Sequence, residues 1–289
     1  MAERKARHSW MRRAGAHPSL IIGALLVMLL LAAALLSWFW VPWPVADIDI
    51  PNKLAPPNRQ HWLGTDGLGR DVVSLLLVGS RNSWLVGLLA VGIGLVVGSG
   101  LGLLAAACGG WVDEVLMRIT DFAFAFPALL LAIMLTAIHG PGLIVSITAI
   151  GIFNIPVFAR ITRGAAMAIW SREFILAAWA AGKGRWRITF DHVLPNIAHV
   201  LIVQVTIQFA IAILAEAALS YLGLGTQPPQ PSWGRMLNEA QVLMFQAPWL
   251  ALWPGAAIAL SVLGFNLLGD GLRDLLDPRL SRDRSLASF

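Results

Sequence analysis

The side chains able to do acid–base, nucleophilic or metal chemistry are few and scattered along this chain. The six histidines stand apart, and Cys108 is the only cysteine, so it has no disulfide partner and no neighbouring cysteine ligand. His192 and His199 have a spacing of two helical turns, but Pro195 lies between them. The motifs H-E-x-x-H and G-x-S-x-G are absent. The sequence therefore predicts no catalytic residue and no metal site.

A phosphate-binding loop is missing as well. The nearest match to G-x-x-x-x-G-K-[ST] is Gly182-Lys183, but Gly184 stands in place of the hydroxyl residue and the earlier glycine is lacking. We therefore expect no nucleotide cofactor in this chain. The energy for any uphill work must come from another chain or from an ion gradient.

The composition is that of a membrane protein. Of the 289 residues, 57% are hydrophobic and only 13% are charged, whereas a soluble domain carries about 25% charged residues. There are 13 Trp and one Tyr, and Trp favours the membrane–water boundary. The net charge of +5 comes from basic residues between apolar runs. We therefore expect contact with membrane lipid and no nucleic acid partner.

Apolar runs indicate where the chain crosses the membrane. The first run has no charged residue and exceeds the roughly 7–15 residues of a signal-peptide core, so it should be a retained helix. We predict an all-α integral membrane protein, since a span needs roughly 20 apolar residues. The six predicted transmembrane helices are Ser19–Val41, Trp84–Ala107, Phe122–Ile138, Leu143–Phe158, Ile197–Leu219 and Trp249–Leu268.

The distribution of basic residues orients these helices. With the N-terminus inside, 16 of the 21 Lys and Arg residues fall on the cytoplasmic side. Because cytoplasmic loops are enriched in Lys and Arg, this split predicts that both termini are cytoplasmic. It also argues against an odd number of spans.

The loop 171–196 is the most informative cytoplasmic segment. Its first part can form a short helix, which Gly182 would end with a sharp turn, and Pro195 suits the start of the next membrane helix. Small and apolar side chains fall on one side of the short helix, namely Phe174, Ala177, Ala178 and Ala181. Such a helix can insert into a groove on another protein or lie on the membrane surface, and both alternatives stay open on these grounds.

The pattern A-A-x-x-x-G followed by L-P-N resembles the "EAA" loop of binding-protein-dependent ABC importer permeases. The matching residues are Ala177, Ala178, Gly182, Leu194, Pro195 and Asn196. Leu176 stands where that loop carries a glutamate. The resemblance implies docking of an ATPase on this loop through shape and apolar burial rather than through that carboxylate.

Two further motifs resemble the C-type permease subunits of dipeptide, oligopeptide and nickel importers. One is GTDGLGRD at 64–71, and the other is EAALSYLGLG at 216–225, followed by PSWG at 231–234. The resemblance implies the type I ABC importer permease fold in a bacterial cytoplasmic (inner) membrane. It also implies three kinds of partner: a homologous second permease, two ATPase subunits that hold ATP and Mg²⁺, and an extracytoplasmic solute-binding protein.

The same resemblance implies a domain organisation and a function. The predicted order is a tail (1–18), the first transmembrane helix (19–41), an extracytoplasmic segment (42–81), a permease module (82–270) containing the coupling loop 160–196, and a tail (271–289). The expected function is import of di- or oligopeptides, driven by ATPases that dock on residues 171–190. Import of nickel or another small solute, and an ion-gradient-driven carrier, are the alternatives.

Polar residues in or beside the spans are further candidates. For Glu216, near the outer end of the fifth span, a structural or gating role is predicted rather than substrate contact. The alternative is that Glu216 lies near the interface and caps or pairs with a neighbour such as Arg235. Asn154 and Asn266 are expected to bond helices near a pathway. At the outer face, a charge cluster could dock the binding protein, or the same residues could form a turn that caps a helix. These residues are Asp66, Arg70 and Asp71.

Overall fold

The computed structural model describes residues 17–276, so most of the two predicted tails lies outside it. Within this range every regular element is helical, as predicted. A 3₁₀ turn covers Ile50–Asn52, and π-helical turns cover Gly94–Gly98 and Thr189–Val193. The helices are α1 (Pro18–Phe39), α2 (Val72–Ile93), α3 (Ser99–Cys108), α4 (Gly110–Ala125), α5 (Ala128–His139), α6 (Leu143–Trp170), α7 (Glu173–Ala180), α8 (Arg185–Ile188), α9 (Leu194–Tyr221), α10 (Trp233–Gln241) and α11 (Trp249–Leu276).

Five continuous helical runs of the described chain are long and apolar enough to cross a membrane. They are α1, the run Val72–Cys108, α6, the run Arg185–Tyr221 and α11. A sixth span requires that α4 and α5 together cross the membrane, and these two helices are bent by 79° to each other. The expected single helix Phe122–Ile138 is therefore wrong. Phe126 is extended, because the following Pro127 disfavours helical backbone in the residue before it.

The second span begins earlier than expected, at Val72 rather than Trp84. Asp71 caps its N-terminus, because the Asp71 side chain accepts a hydrogen bond from the Ser74 amide. The run Val72–Cys108 has 37 residues, about 55 Å at the rise of an α-helix. That exceeds a hydrocarbon core of about 30 Å, so part of this run extends beyond the hydrocarbon layer.

A stripe of glycines packs this long span against α6. A Cβ added at Gly94 would meet Asn154, and one added at Gly98 would meet the Ile155 carbonyl. At Gly102 the added atom would lie 2.5 Å from the Ala159 carbonyl oxygen. Small residues let helix backbones approach closely in lipid, where packing and not water exclusion drives association.

Helix α9 packs against three other spans, α2, α6 and α11. Phe209 of α9 stacks on Phe265 of α11 at a centroid distance of 4.4 Å, and the Trp84 ring of α2 tilts against Phe209 at 5.1 Å. The first helix, α1, packs on α11 through the close approach of Gly23 to the Leu268 backbone. Most of the α1 surface is exposed and apolar, as expected for a lipid-facing helix.

Candidate coupling loop and outer polar clusters

The predicted coupling loop is a short helical hairpin held to the body of the protein by two buried isoleucines. Helix α7 begins at Glu173, three residues after α6 ends at Trp170. Ile175 of α7 and Ile188 of α8 are almost completely buried. These anchors fix which side of α7 faces the protein and which side faces outward.

The outward side of α7 is apolar. Phe174, Leu176 and Trp179 are 46%, 64% and 49% exposed. Of the three predicted alanines on this helix, Ala177 and Ala181 are exposed and Ala178 is half-buried. Contiguous exposed apolar surface marks contact with a protein or with lipid. Leu176 therefore places an apolar side chain where the EAA loop has its glutamate.

Gly182 makes the predicted sharp turn between α7 and α8. Its φ is +80°, a backbone conformation that L-residues with side chains rarely adopt. The turn reaches back to α7, since the Gly182 amide donates to the Trp179 carbonyl at 2.9 Å and the Lys183 amide donates to the Ala178 carbonyl at 3.1 Å. The prediction of a glycine turn at this point is confirmed.

The second half of the hairpin leads into α9. Leu194, Pro195 and Asn196 form the first turn of that helix, and the Asn196 side chain donates to the His192 carbonyl at 2.6 Å. Lys183 Nζ lies 2.8 Å from His192 Nε2, which ties the glycine turn to the base of α9. Lys183, which follows Gly182, and Asn196 are thus both bonded to His192.

Two ion pairs that the sequence did not indicate join α4 to the inner end of α6. Arg163 contacts both carboxylate oxygens of Asp113, with Nη2 to Oδ2 at 2.5 Å. Arg160 Nη2 donates to Asp121 Oδ1 at 2.6 Å. The partners are 50 and 39 residues apart in sequence, so no local pattern could have revealed the pairing.

Asp66 and Arg70 form an ion pair in the extracytoplasmic layer. Arg70 Nε donates to Asp66 Oδ2 at 2.6 Å, and Arg70 Nη2 donates to Glu239 Oε2 of α10 at 3.0 Å. The other oxygen, Asp66 Oδ1, accepts from the Leu68 and Arg70 amides at 2.8 Å. A pocket of about 400 Å³ opens beside this cluster, between the turn and α10.

Asp71 serves the structure rather than an open surface. It is buried, and its Oδ2 accepts from both the amide and the hydroxyl of Ser74. Its Oδ1 lies 3.0 Å from His61 Nδ1. The alternative in which Asp71 caps a helix is confirmed, whereas a role of Asp66 and Arg70 in binding a partner stays a prediction.

Glu216 is completely buried at the outer end of α9. Its Oε1 accepts from Ser220 Oγ at 2.7 Å and from Thr226 Oγ1 at 3.3 Å, and Ser220 Oγ in turn accepts from the Thr226 amide. Oε2 has no hydrogen-bond partner among the described residues. The alternative in which Glu216 pairs with Arg235 is wrong, because Arg235 Nε donates to Glu239 at 2.8 Å. Glu216 instead holds the turn at 222–226 against α9.

The two asparagines lie in different surroundings. Asn154 is buried and donates to the Ala90 carbonyl of α2 at 3.3 Å, so it bonds two spans as expected. Asn266 lines an open groove of about 720 Å³ between α9 and α11, together with Tyr221 and apolar residues. Among residues 17–276, no three His, Cys, Asp or Glu side chains come together as a metal site would require.

Comparison with known proteins assigns the family. Residues 98–282 match the family described as "Binding-protein-dependent transport system inner membrane component". The chain belongs to this family. It is a multi-pass inner-membrane permease subunit of a transport system and is not itself catalytic.

Two curated relatives are similar to this permease over nearly its whole length. It is 43% identical to the glutathione transport system permease protein GsiD of Pectobacterium atrosepticum, across 95% of this chain and 91% of the relative. It is also 43% identical to the dipeptide transport system permease protein DppC of Alkalihalophilus pseudofirmus, across 90% of this chain and 86% of that one.

A solved structure supports the fold. The inward-facing methionine ABC transporter MetNI contains a chain that matches this permease with a TM-score of 0.60 at 18% identity. The match covers 97% of that chain but 70% of this one. The expected type I ABC importer permease fold is confirmed, whereas the boundaries of the module at 82 and 270 stay predictions.

Proposed function

We propose that this permease carries short peptides, di- or oligopeptides, across the inner membrane in an ATP-driven importer. The observation that carries the proposal is the 43% identity, over at least 90% of the chain, to permeases named for dipeptide and glutathione transport. Both of those solutes are short peptides. Nickel or another small solute is the alternative substrate class.

The energy is proposed to come from partner chains. An ATPase subunit docks on α7, where Phe174, Leu176 and Trp179 present an exposed apolar surface. The ATPases hold ATP and Mg²⁺, because the sequence of the permease has no phosphate-binding loop. A homologous second permease completes the pathway, and a solute-binding protein delivers the peptide from outside. Binding of ATP closes the ATPases, swings the paired coupling loops and opens the pathway outward.

The chemistry of α7 implies how this contact is made. Leu176 cannot form an ion pair. It is 64% exposed in the free permease, so its contribution to docking is the burial of this apolar surface. Full burial of a leucine side chain contributes about 1.5–3 kcal/mol. Shape and apolar burial therefore carry the contact at this position.

Uptake by vesicles that contain the purified assembly tests the proposal. We expect a labelled dipeptide or tripeptide to accumulate only with the binding protein and hydrolysable ATP present. Uptake driven by an ion gradient with ADP alone would refute the ATP-driven importer. Accumulation of Ni²⁺ with no peptide uptake would leave the importer intact and replace the substrate class.

A glycine pair in the coupling loop supplies the matched variants. Gly182→Leu should abolish coupled uptake, since leucine at φ of +80° costs about 1–2 kcal/mol and distorts the turn after α7. Gly184→Leu is the control, because Gly184 has φ of −68° and open space around it. Equal uptake by the two variants would contradict the assignment of this loop.

A further inference from the structure

The junction between α3 and α4 is a joint in the backbone at the inner end of the long span. Gly109 and Gly110 connect the two helices with φ of +64° and +55°. Nothing lies within 4 Å of a Cβ added at either glycine. The joint therefore combines positive φ angles, which glycine adopts readily, with free space at both α-carbons.

The coupling loop is connected to the start of α4 through α6, the helix that leads into α7. Arg163 lies on α6, two turns before α6 ends at Trp170 and leads into α7. Its guanidinium donates two hydrogen bonds to the Asp113 carboxylate. Asp113 lies in the first turn of α4. The two side chains are only 31% and 16% exposed. A two-bond contact with this burial resists rotation better than a solvated pair does.

The part of the coupling loop that follows Gly182 also contacts the end of α3, next to the joint. Arg185, the first residue of α8, donates from Nη1 to the Cys108 carbonyl at 3.3 Å. Cys108 is the last residue of α3 and precedes the two glycines. The segments on either side of the joint are therefore contacted by Arg163, which precedes α7, and by Arg185, which follows it.

A further contact keeps α4 aligned with α6. Arg160 donates to Asp121 at 2.6 Å, and its guanidinium carbon lies 4.6 Å from the Phe124 ring centroid. Asp113 and Asp121 are eight residues apart, about 12 Å along the helix. Two ion pairs at this separation fix both the position and the orientation of α4 relative to α6. A movement of α6 is therefore expected to carry α4 with it.

We propose that the Asp113–Arg163 pair transmits the movement of the coupling loop to the joint at Gly109–Gly110, and so to α4 and the long span. This inference rests on the proposed function. Arg163 and Asp113 are then positioning residues for coupling, since neither touches the solute or the nucleotide. The coupling loop then has two roles: it docks the ATPase, and it transmits movement to the bent helix pair α4–α5.

Charge reversal in the complete transporter tests the proposal. The variants are Arg163→Asp, Asp113→Arg and the double exchange, assayed in vesicles for both ATP hydrolysis and peptide uptake. We expect each single variant to raise the ATP consumed per peptide by about tenfold, within the range of measured coupling effects. The double exchange should restore most of the loss, because the ion pair forms again with its charges exchanged.

The matched control is another ion pair on the same helix. Glu114 and Arg118 lie 3.9 Å apart and are 72% and 79% exposed, and they do not join α4 to α6. Exchange of Glu114 and Arg118 should leave the ATP-to-peptide ratio unchanged. If a reversed Arg163 or Asp113 variant does not assemble, Arg163→Gln and Asp113→Asn remove the charges without repulsion and are judged by the same ratio.

Three results would overturn the inference. A parallel loss of hydrolysis and uptake in assembled single variants would show a structural role only. Failure of the double exchange to lower the ratio would show that the pairing itself is not needed, and a raised ratio in the control would show a general charge effect. Absence of ATP-driven uptake in the unmodified transporter would instead refute the proposed function.

Discussion

Replacement of Gly102 by alanine tests the packing of the long span on α6. The added Cβ would lie 2.5 Å from the Ala159 carbonyl oxygen and 2.8 Å from Thr162 Cβ. Ordinary carbon contacts lie at roughly 3.5–4.0 Å, so the two helices must separate by up to about 1 Å. Overpacking of this kind costs about 1–3 kcal/mol, against which better helix propensity returns at most about 1 kcal/mol. The expected net loss is about 1–2 kcal/mol.

Gly100 provides the matched control two residues earlier on α3. Nothing lies within 4 Å of a Cβ added there, so Gly100→Ala should be neutral or stabilise by up to about 1 kcal/mol. The two substitutions are chemically identical and should have opposite effects on stability. A difference of about 2 kcal/mol corresponds to roughly 4–8 °C in the midpoint of thermal unfolding.

Thermal unfolding of the detergent-solubilised permease, followed by Trp fluorescence, measures this difference. Gly102→Ala should unfold at the lower temperature and Gly100→Ala at or above the midpoint of the unmodified protein. Equal midpoints for the two variants would refute the reasoning, because helix propensity alone predicts the same change at both positions.

Two further substitutions test the outer layer by the same assay. Glu216→Ala should destabilise by about 1–3 kcal/mol, because the Ser220 and Thr226 hydroxyls lose their buried acceptor. Glu216→Gln keeps an oxygen acceptor and should be milder, and equal losses would contradict the assigned bonds. Asp71→Ala should cost about 1–2 kcal/mol through loss of the cap on α2. Asp71→Asn retains an acceptor for the Ser74 amide, so a loss as large as that of alanine would exclude capping as the cause.

The sequence was sufficient for features that depend on local composition. Apolar runs indicated the positions of most spans, and the glycine turn at Gly182 followed from its position after a short helix. The capping role of Asp71 was also among the readings of its motif. Each of these rests on residues close together in the chain, which is why a single sequence could reveal them.

Pro127 and Arg235 show two errors that local reasoning could have avoided. The apolar run 122–138 reads as one helix by hydropathy, but Pro127 within it is a strong signal of a break. Pairing of Glu216 with Arg235 was one alternative, although Glu239 lies four residues from Arg235 on the same short helix, where an ion pair forms most easily. In both cases a residue nearby in the sequence decides the outcome.

Contacts between distant segments lay beyond the sequence. Arg70 and Glu239 are 169 residues apart, and Asp113 and Arg163 are 50 apart. Basic residues in this family of membrane proteins are first interpreted as determinants of orientation. That interpretation predicts the side of the membrane on which Arg163 lies, but it does not tell which carboxylate the guanidinium will meet once α4 and α6 are packed together.

Three glycines show most clearly what the sequence alone does not predict. Gly100, Gly102 and Gly182 are the same residue type, yet only the last needs a left-handed backbone, only Gly102 lies against the backbone of another helix, and Gly100 faces open space. No pattern within α3 separates its two glycines, because what differs is the position of α6. The requirement for glycine at 102 therefore arises from the packed fold, and a substitution there reports on the distance between two spans rather than on the helix that carries it.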